Sequence, residues 1–290
     1  FRLFSSLLAI LNEIKSVLLI KSRPYSFFHS IPQTSTPMSL NFTYLPRTLE
    51  AVIFQASSRY KGVMVTGMRQ VGKSTMLRRM QGDRRYVNLD RYQALDLARQ
   101  APDAFFKQYP LPLLIDEFQR ATDLGLELKS ILDETDERGL VWLTGSQKLG
   151  LRKGGAEALS GRVASFELLP FSLYELQGKG PEQKPFMPTG ELTRGSLASL
   201  TVEELWKIIW QGSWPEVVHD EPDQRDAFFD SLLRTYIEKD ILATGVRRVE
   251  DFERFLSVLA SRIGQEFAIG EIQKAVGVAA ETVRHWLNVA

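Results

Sequence analysis

The chain contains no cysteine. That excludes disulfides, cysteine-ligated zinc and thiol catalysis, and it fits a reducing compartment, so the cytoplasm is the expected setting. An excess of one charge is missing too: 36 Lys and Arg face 35 Asp and Glu, a net of +1. Residues 1–40 hold Arg2, Lys15, Lys21 and Arg23 against Glu13, so the little positive excess lies at the start. This balance neither demands nucleic acid nor forbids it. No bilayer-length apolar run exists. The nearest, residues 3–20, is broken by Asn12, Glu13 and Lys15. A span needs about 20 mostly apolar residues, and a signal peptide carries its charge ahead of the apolar run. No membrane span is therefore expected. No internal repeat is visible, and His219 and His285 read as ordinary residues.

What is present suits a globular protein: 290 residues, 44% hydrophobic and 24% charged, enough for one large domain or two ordinary ones. The first residue is Phe1, and residues 23–37 are rich in Ser, Pro and Thr. Met38 is the expected native start, with residues 1–40 a leader or non-native extension outside the fold.

The strongest signal is Gly67-Met68-Arg69-Gln70-Val71-Gly72-Lys73-Ser74-Thr75, a complete phosphate-binding loop. An apolar strand-like run, Gly62-Val63-Met64-Val65-Thr66, precedes it, and a helical pattern follows. Its chemistry needs that strand–loop–helix order. Glycines let the backbone curl until several N–H groups point at one phosphate, and the helix N-terminus adds its dipole. All nine residues are expected to contact nucleotide. Lys73 reaches the β- and γ-phosphates, and Ser74 offers a hydroxyl to Mg²⁺.

Strand patterns recur at 85–90, 111–115, 140–144 and 162–168, and helical ones at 45–60, 92–100, 123–138, 202–210 and 225–242. In the first part of the chain strands alternate with helices, which predicts an α/β fold with a parallel sheet covered on both faces. Ligands on such sheets bind at the carboxyl ends of the strands, where the loop, Asp116 and Ser146 fall.

Asp116 and Glu117 end the apolar run Leu113-Leu114-Ile115. Asp116 is expected to hold Mg²⁺, through water, and Glu117 to polarise the attacking water. Thr144, Ser146 and Gln147 end the next strand, and the sequence leaves their role open: sensing the γ-phosphate, orienting water, or making a plain turn. Ser160-Gly161-Arg162 follows a glycine-rich stretch. Arg162 is either an arginine finger for a neighbouring subunit or a structural ion-pair residue. Residues 269–276 and 280–289, joined through Gly277, have helix-turn-helix spacing. Val283 and Leu287, with Trp286, are expected inside, and Thr282, Arg284, His285 and Asn288 outside. Residues 261–290 hold three basic and three acidic residues, so protein interaction competes with DNA binding.

Together these residues resemble the bacterial and archaeal AAA-like ATPases that carry a poorly characterised C-terminal domain. The resemblance runs over residues 45–290. It includes Tyr86-Val87-Asn88-Leu89-Asp90, Ile115-Asp116-Glu117-Phe118-Gln119, Leu143-Thr144-Gly145-Ser146-Gln147 and Leu159-Ser160-Gly161-Arg162-Val163. Leu169-Pro170-Phe171-Ser172, Gly212-Ser213-Trp214-Pro215-Glu216 and Tyr236-Ile237-Glu238-Lys239-Asp240 continue it. It implies a P-loop NTPase with an additional strand between the loop-bearing and acid-bearing strands, then a helical lid and a winged-helix-like module. The implied division is 1–40 extension, 41–176 ATPase core, 177–200 connector, 201–248 lid and 249–290 winged-helix-like module, with the family's C-terminal domain past Ala290. Phe118 and Gln273 stand where smaller residues are usual. The implied function is Mg²⁺-dependent ATP hydrolysis coupled to movement of the C-terminal module. The alternative is a nucleotide-gated module, associated with DNA or a protein partner, with negligible turnover. A homo-oligomer is compatible with both.

Overall fold

The computed structural model describes residues 44–146, 158–182, 198–218, 222–242 and 246–289. Residues 1–40, most of 177–200, and Gln147 lie outside them or largely so. Two compact units emerge: Thr43–Ser199 with Ser213–Pro215, and Leu200–Gly212 with Glu216–Ala290.

The first unit begins with α1 (Thr48–Ser57), β1 (Gly62–Gly67) and α2 (Lys73–Met80). After these come β2 (Arg85–Asn88), α3 (Tyr92–Gln100), α4 (Pro102–Gln108), β3 (Leu113–Asp116) and α5 (Leu124–Asp133). Next are β4 (Val141–Ser146), β5 (Val163–Glu167) and the short α6 (Leu173–Leu176). The five strands form one parallel sheet in the order β2-β3-β4-β1-β5. As the family resemblance implies, β4 is the additional strand, inserted between the loop-bearing β1 and the acid-bearing β3. Both β1 and β3 are buried along their whole length. This explains their unbroken apolar runs, because a central parallel strand has no solvated face. Val87, Leu113, Ile115, Leu128, Leu132 and Leu143 belong to the same core cluster.

Several boundaries shift from expectation, two of them for evident local reasons. Pro112 has no N–H to give a ladder, and the strand expected from Leu111 starts at Leu113. The helix expected to reach Arg138 stops at Asp133. Glu134, Asp136 and Glu137 follow, and acidic groups oppose the negative end of the helix dipole. Thr135 Oγ1 also accepts the Glu137 N–H at 3.2 Å, a local bond that competes with helix. The helix expected over 225–242 starts earlier, at Pro222, and passes into a π-type turn at Ile237–Ile241.

The second unit contains α7 (Val202–Gln211), most of α8 (Pro215–Val218), α9 (Pro222–Tyr236), α10 (Val249–Ser261), α11 (Ile269–Val276) and α12 (Ala280–Val289). Phe252 and Phe255 of α10 close on Trp286 of α12, with ring centroids 5.5 Å apart in both pairs. Gly277 takes the left-handed conformation (φ 80°) between α11 and α12, the usual glycine stop of a helix. Val283 and Trp286 are buried, Leu287 is half-buried, and Arg284, His285 and Asn288 are exposed. Thr282, expected outside, is half-buried. Residues 246–289 contain three helices and no strand.

Candidate nucleotide-binding site

The loop between β1 and α2 departs from ordinary backbone at two glycines. Gly67 has φ 146°, and a Cβ there would stand 2.2 Å from the Leu168 carbonyl oxygen. Gly72 is left-handed at φ 95°. Gln70 adopts φ 61°, a conformation that disfavours side chains. Lys73 is buried, and its Nζ donates to the Gly67 carbonyl at 2.9 Å and the Met68 carbonyl at 2.7 Å. The ammonium thus ties the end of the loop back to its first two carbonyls. Thr75 lies exposed in the first turn of α2.

Asp116 is 3% exposed and is ringed by hydroxyls. Ser74 Oγ donates to its Oδ1 at 2.8 Å, Tyr86 OH to its Oδ2 at 2.8 Å, and Thr144 Oγ1 to its Oδ1. Strand register produces this meeting. Asn88 pairs with Asp116, and Ile115 pairs with Leu143, so Thr144 stands beside Asp116. Burial, then the hydrogen bond to Asp116, pushes the Tyr86 phenol up to about 12, because both disfavour a second negative charge. Tyr86 also lies under the Arg78 guanidinium, 4.8 Å from its ring centroid.

Glu117 follows Asp116 in the left-handed region at φ 60°. Its N–H donates to Thr144 Oγ1 at 3.1 Å, and its Oε2 accepts from Gln119 Nε2. A glutamate held at positive φ is strained, and such residues concentrate at functional sites.

Hydroxyl and carboxylate oxygen are the ligands Mg²⁺ takes, and Ser74 with Asp116 brings both to one point beside the loop. Among the described residues no group of three or more His, Cys, Asp or Glu forms a protein-only metal cage. The donor set therefore fits an ion that draws its other ligands from phosphate and water.

Ser146 is the last residue of β4 and pairs in register with Gly67, the first of the loop. Gln147 lies outside the described residues. Arg162 lies elsewhere. Its carbonyl accepts the Gly62 N–H at 3.2 Å, at the opposite end of β1 from the loop. At about 3.3 Å per residue, five residues of strand put it roughly 16 Å away. Its guanidinium grips Asp133 by two bonds of 2.5 and 2.7 Å, which hold the Asp133 carboxyl below the usual carboxylate range.

Several neighbours of the loop escaped the sequence reading. Arg47 is 3% exposed; its Nη1 donates to the Val71 carbonyl at 2.9 Å, and its Nε to Glu175 Oε1 at 3.1 Å. Trp214, 2% exposed, donates from Nε1 to the Arg69 carbonyl at 3.1 Å. Arg47 and Glu175 are 128 residues apart, so no local pattern pairs them. Tyr86, Trp214 and Phe171 do sit in motifs that carry the family resemblance, which marked them without assigning a role.

Residues 59–177 match the family described as AAA domain, and residues 202–289 match a domain of unknown function (DUF8612). The second match covers most of the stretch read from sequence as lid and winged-helix-like module. The uncharacterized proteins Rv2008c of Mycobacterium tuberculosis and Mb2031c of Mycobacterium bovis are each 27% identical over 244 residues, 83% of this chain and 50% of theirs. The chain thus spans half the length of these curated relatives. Among solved structures, a DNA replication initiation factor aligns over 83% of this chain and 84% of its own at 13% identity, TM-score 0.39. The Aeropyrum pernix ORC1 protein in complex with DNA aligns over 87% of this chain and 84% of its own at 12% identity, TM-score 0.33.

Proposed function

We propose that this chain, which carries an AAA-like P-loop domain followed by a domain of unknown function, binds ATP with Mg²⁺ and hydrolyses it. The observation that carries the reading is the Ser74–Asp116 contact of 2.8 Å beside the phosphate loop, with Glu117 next in sequence. Residues 67–75 cradle the phosphates through backbone N–H groups, and Lys73 balances their charge. Ser74 and Asp116 hold Mg²⁺, which when bound draws negative charge off the β- and γ-phosphates. Glu117 takes the proton of the attacking water. The water oxygen bonds to the γ-phosphorus, the bridging P–O bond breaks, and ADP leaves with the electron pair. Thr144 fixes the acid pair, and in this reading Ser146, at the end of β4, is the residue that senses the γ-phosphate. Turnover is coupled to movement of the C-terminal helical module, in the cytoplasm, where ATP is supplied.

Arg162 is too far from its own loop to act there. In this reading it serves the loop of a second copy in a homo-oligomer and exchanges Asp133 for phosphate. The nucleotide reading is tested by equilibrium binding of fluorescent ATP. Wild type is expected to bind and Lys73→Ala to lose binding by at least about a hundredfold, as removing a charge-assisted phosphate contact implies. Equal affinities would falsify the site.

A second reading rests on the α11–α12 turn and the exposed Arg284, His285 and Asn288: a DNA- or protein-binding module that nucleotide gates without turnover. Arg284 already faces Glu281 at 3.2 Å on its own helix, which tempers its appeal to phosphate. This reading expects no phosphate release with or without duplex DNA.

A further inference from the structure

We infer that Trp214 and Arg47 are positioning residues of the phosphate loop, which they shape from its outer side. The inference rests on the nucleotide reading of that loop. Two loop residues have positive φ among the five between Gly67 and Lys73: Gln70 at 61° and Gly72 at 95°. The carbonyl just before each is held by a buried side chain. Trp214 Nε1 takes the Arg69 carbonyl at 3.1 Å, and Arg47 Nη1 takes the Val71 carbonyl at 2.9 Å.

A trans peptide is planar, so C=O of one residue and N–H of the next point in opposite directions. Pulling the Arg69 and Val71 carbonyls outward turns the Gln70 and Gly72 N–H groups inward. Inward N–H groups are what an anion-binding nest requires. The clamps also hold Gln70 in a backbone region that a residue with a side chain disfavours.

Both clamps are themselves anchored. The Ser213 carbonyl accepts the Phe171 N–H at 2.8 Å, and Pro215 Cγ lies 3.7 Å from where a Cβ on Gly72 would be. Arg47 stacks on Phe171 at 4.3 Å, donates from Nη2 to the Leu169 carbonyl, and pairs with Glu175. Glu175 in turn accepts the N–H groups of Thr48 at 2.9 Å and Ser172 at 2.8 Å. Ser213–Pro215 is also a short insertion of the first unit between stretches of the second. The clamp on the loop is thus joined covalently to α7 on one side and to the rest of α8 on the other.

Trp214→Phe keeps a buried ring and deletes only the N–H donor. Arg47→Lys keeps the charge but loses the fork that reaches three acceptors. The full chain is titrated with MgADP and with adenosine by displacement of a fluorescent ADP, beside melting without nucleotide. For Trp214→Phe the expected result is about a five- to tenfold loss of ADP affinity, the worth of one hydrogen bond. Adenosine affinity stays within about twofold and the melting curve stays near wild type. Arg47→Lys, where it folds, shows the same phosphate-specific loss. Wild-type ADP affinity in folded Trp214→Phe overturns the inference, as does an equal loss for ADP and adenosine. Should wild type itself bind no ADP, the nucleotide reading fails first and this inference with it.

Discussion

Asp116 shows how much of the site depends on residues that bear no phosphate-binding signature of their own. One buried carboxylate takes hydroxyl hydrogens from Ser74, Tyr86 and Thr144. Only Ser74 belongs to the loop motif. Thr144 has a further duty, because the same oxygen accepts the Glu117 N–H and secures that residue's left-handed backbone. The sequence leaves Thr144 between sensing the γ-phosphate, orienting water and making a turn. In the structure it is fully buried and bonds both carboxylate residues, the Asp116 side chain and the Glu117 N–H. Thr144→Val preserves shape and removes both bonds, leaving a buried N–H and a carboxylate oxygen short of partners. We expect kcat to fall about tenfold or more with nucleotide affinity within about threefold, and stability to drop by about 1–3 kcal/mol. Steady-state phosphate release and denaturant unfolding measure these. An unchanged kcat would show that Glu117 keeps its place without Thr144.

At the scale of elements, legibility follows burial and distance in sequence. β1 and β3 were readable because strands buried on both faces leave continuous apolar runs. The order of the strands was not in any run; it came only with the family resemblance, and the observed β2-β3-β4-β1-β5 agrees with it. Helix ends were the weakest reading. α5 lost a turn to the acidic stretch after Asp133, a charge and side-chain effect that apolar periodicity does not register. α7 has the opposite character. Val202, Leu205, Trp206, Ile209 and Trp210 recur at clean helical spacing, yet all are exposed; periodicity specifies an apolar stripe and not what covers it. Within the site, the loop, Asp116 and Glu117 were legible because their chemistry needs contiguous residues. Arg47, Glu175, Tyr86 and Trp214 were not, because each meets the site through tertiary contacts over 24 to 145 residues.

Across the whole molecule, Arg162 offers a test between the proposed assembly and a structural ion pair. It sits at the end of the sheet away from its own loop, and its Asp133 partner is partly exposed, so the pair adds little to stability. Arg162→Ala subunits keep an intact loop, and Lys73→Ala subunits keep an intact finger. If fingers act between copies, mixing the two inactive variants restores part of the turnover. No recovery, with each variant monomeric by sedimentation, would remove the assembly from the proposal. The proposed hydrolysis depends on Glu117, and phosphate release by purified wild type and Glu117→Gln under saturating MgATP tests that dependence. Removing a proton acceptor costs about 10²- to 10⁴-fold in such chemistry. The expected result is steady release by wild type and at least a hundredfold less by Glu117→Gln, with ATP still bound. Equal release by the two proteins, or none from wild type with or without duplex DNA, would contradict it.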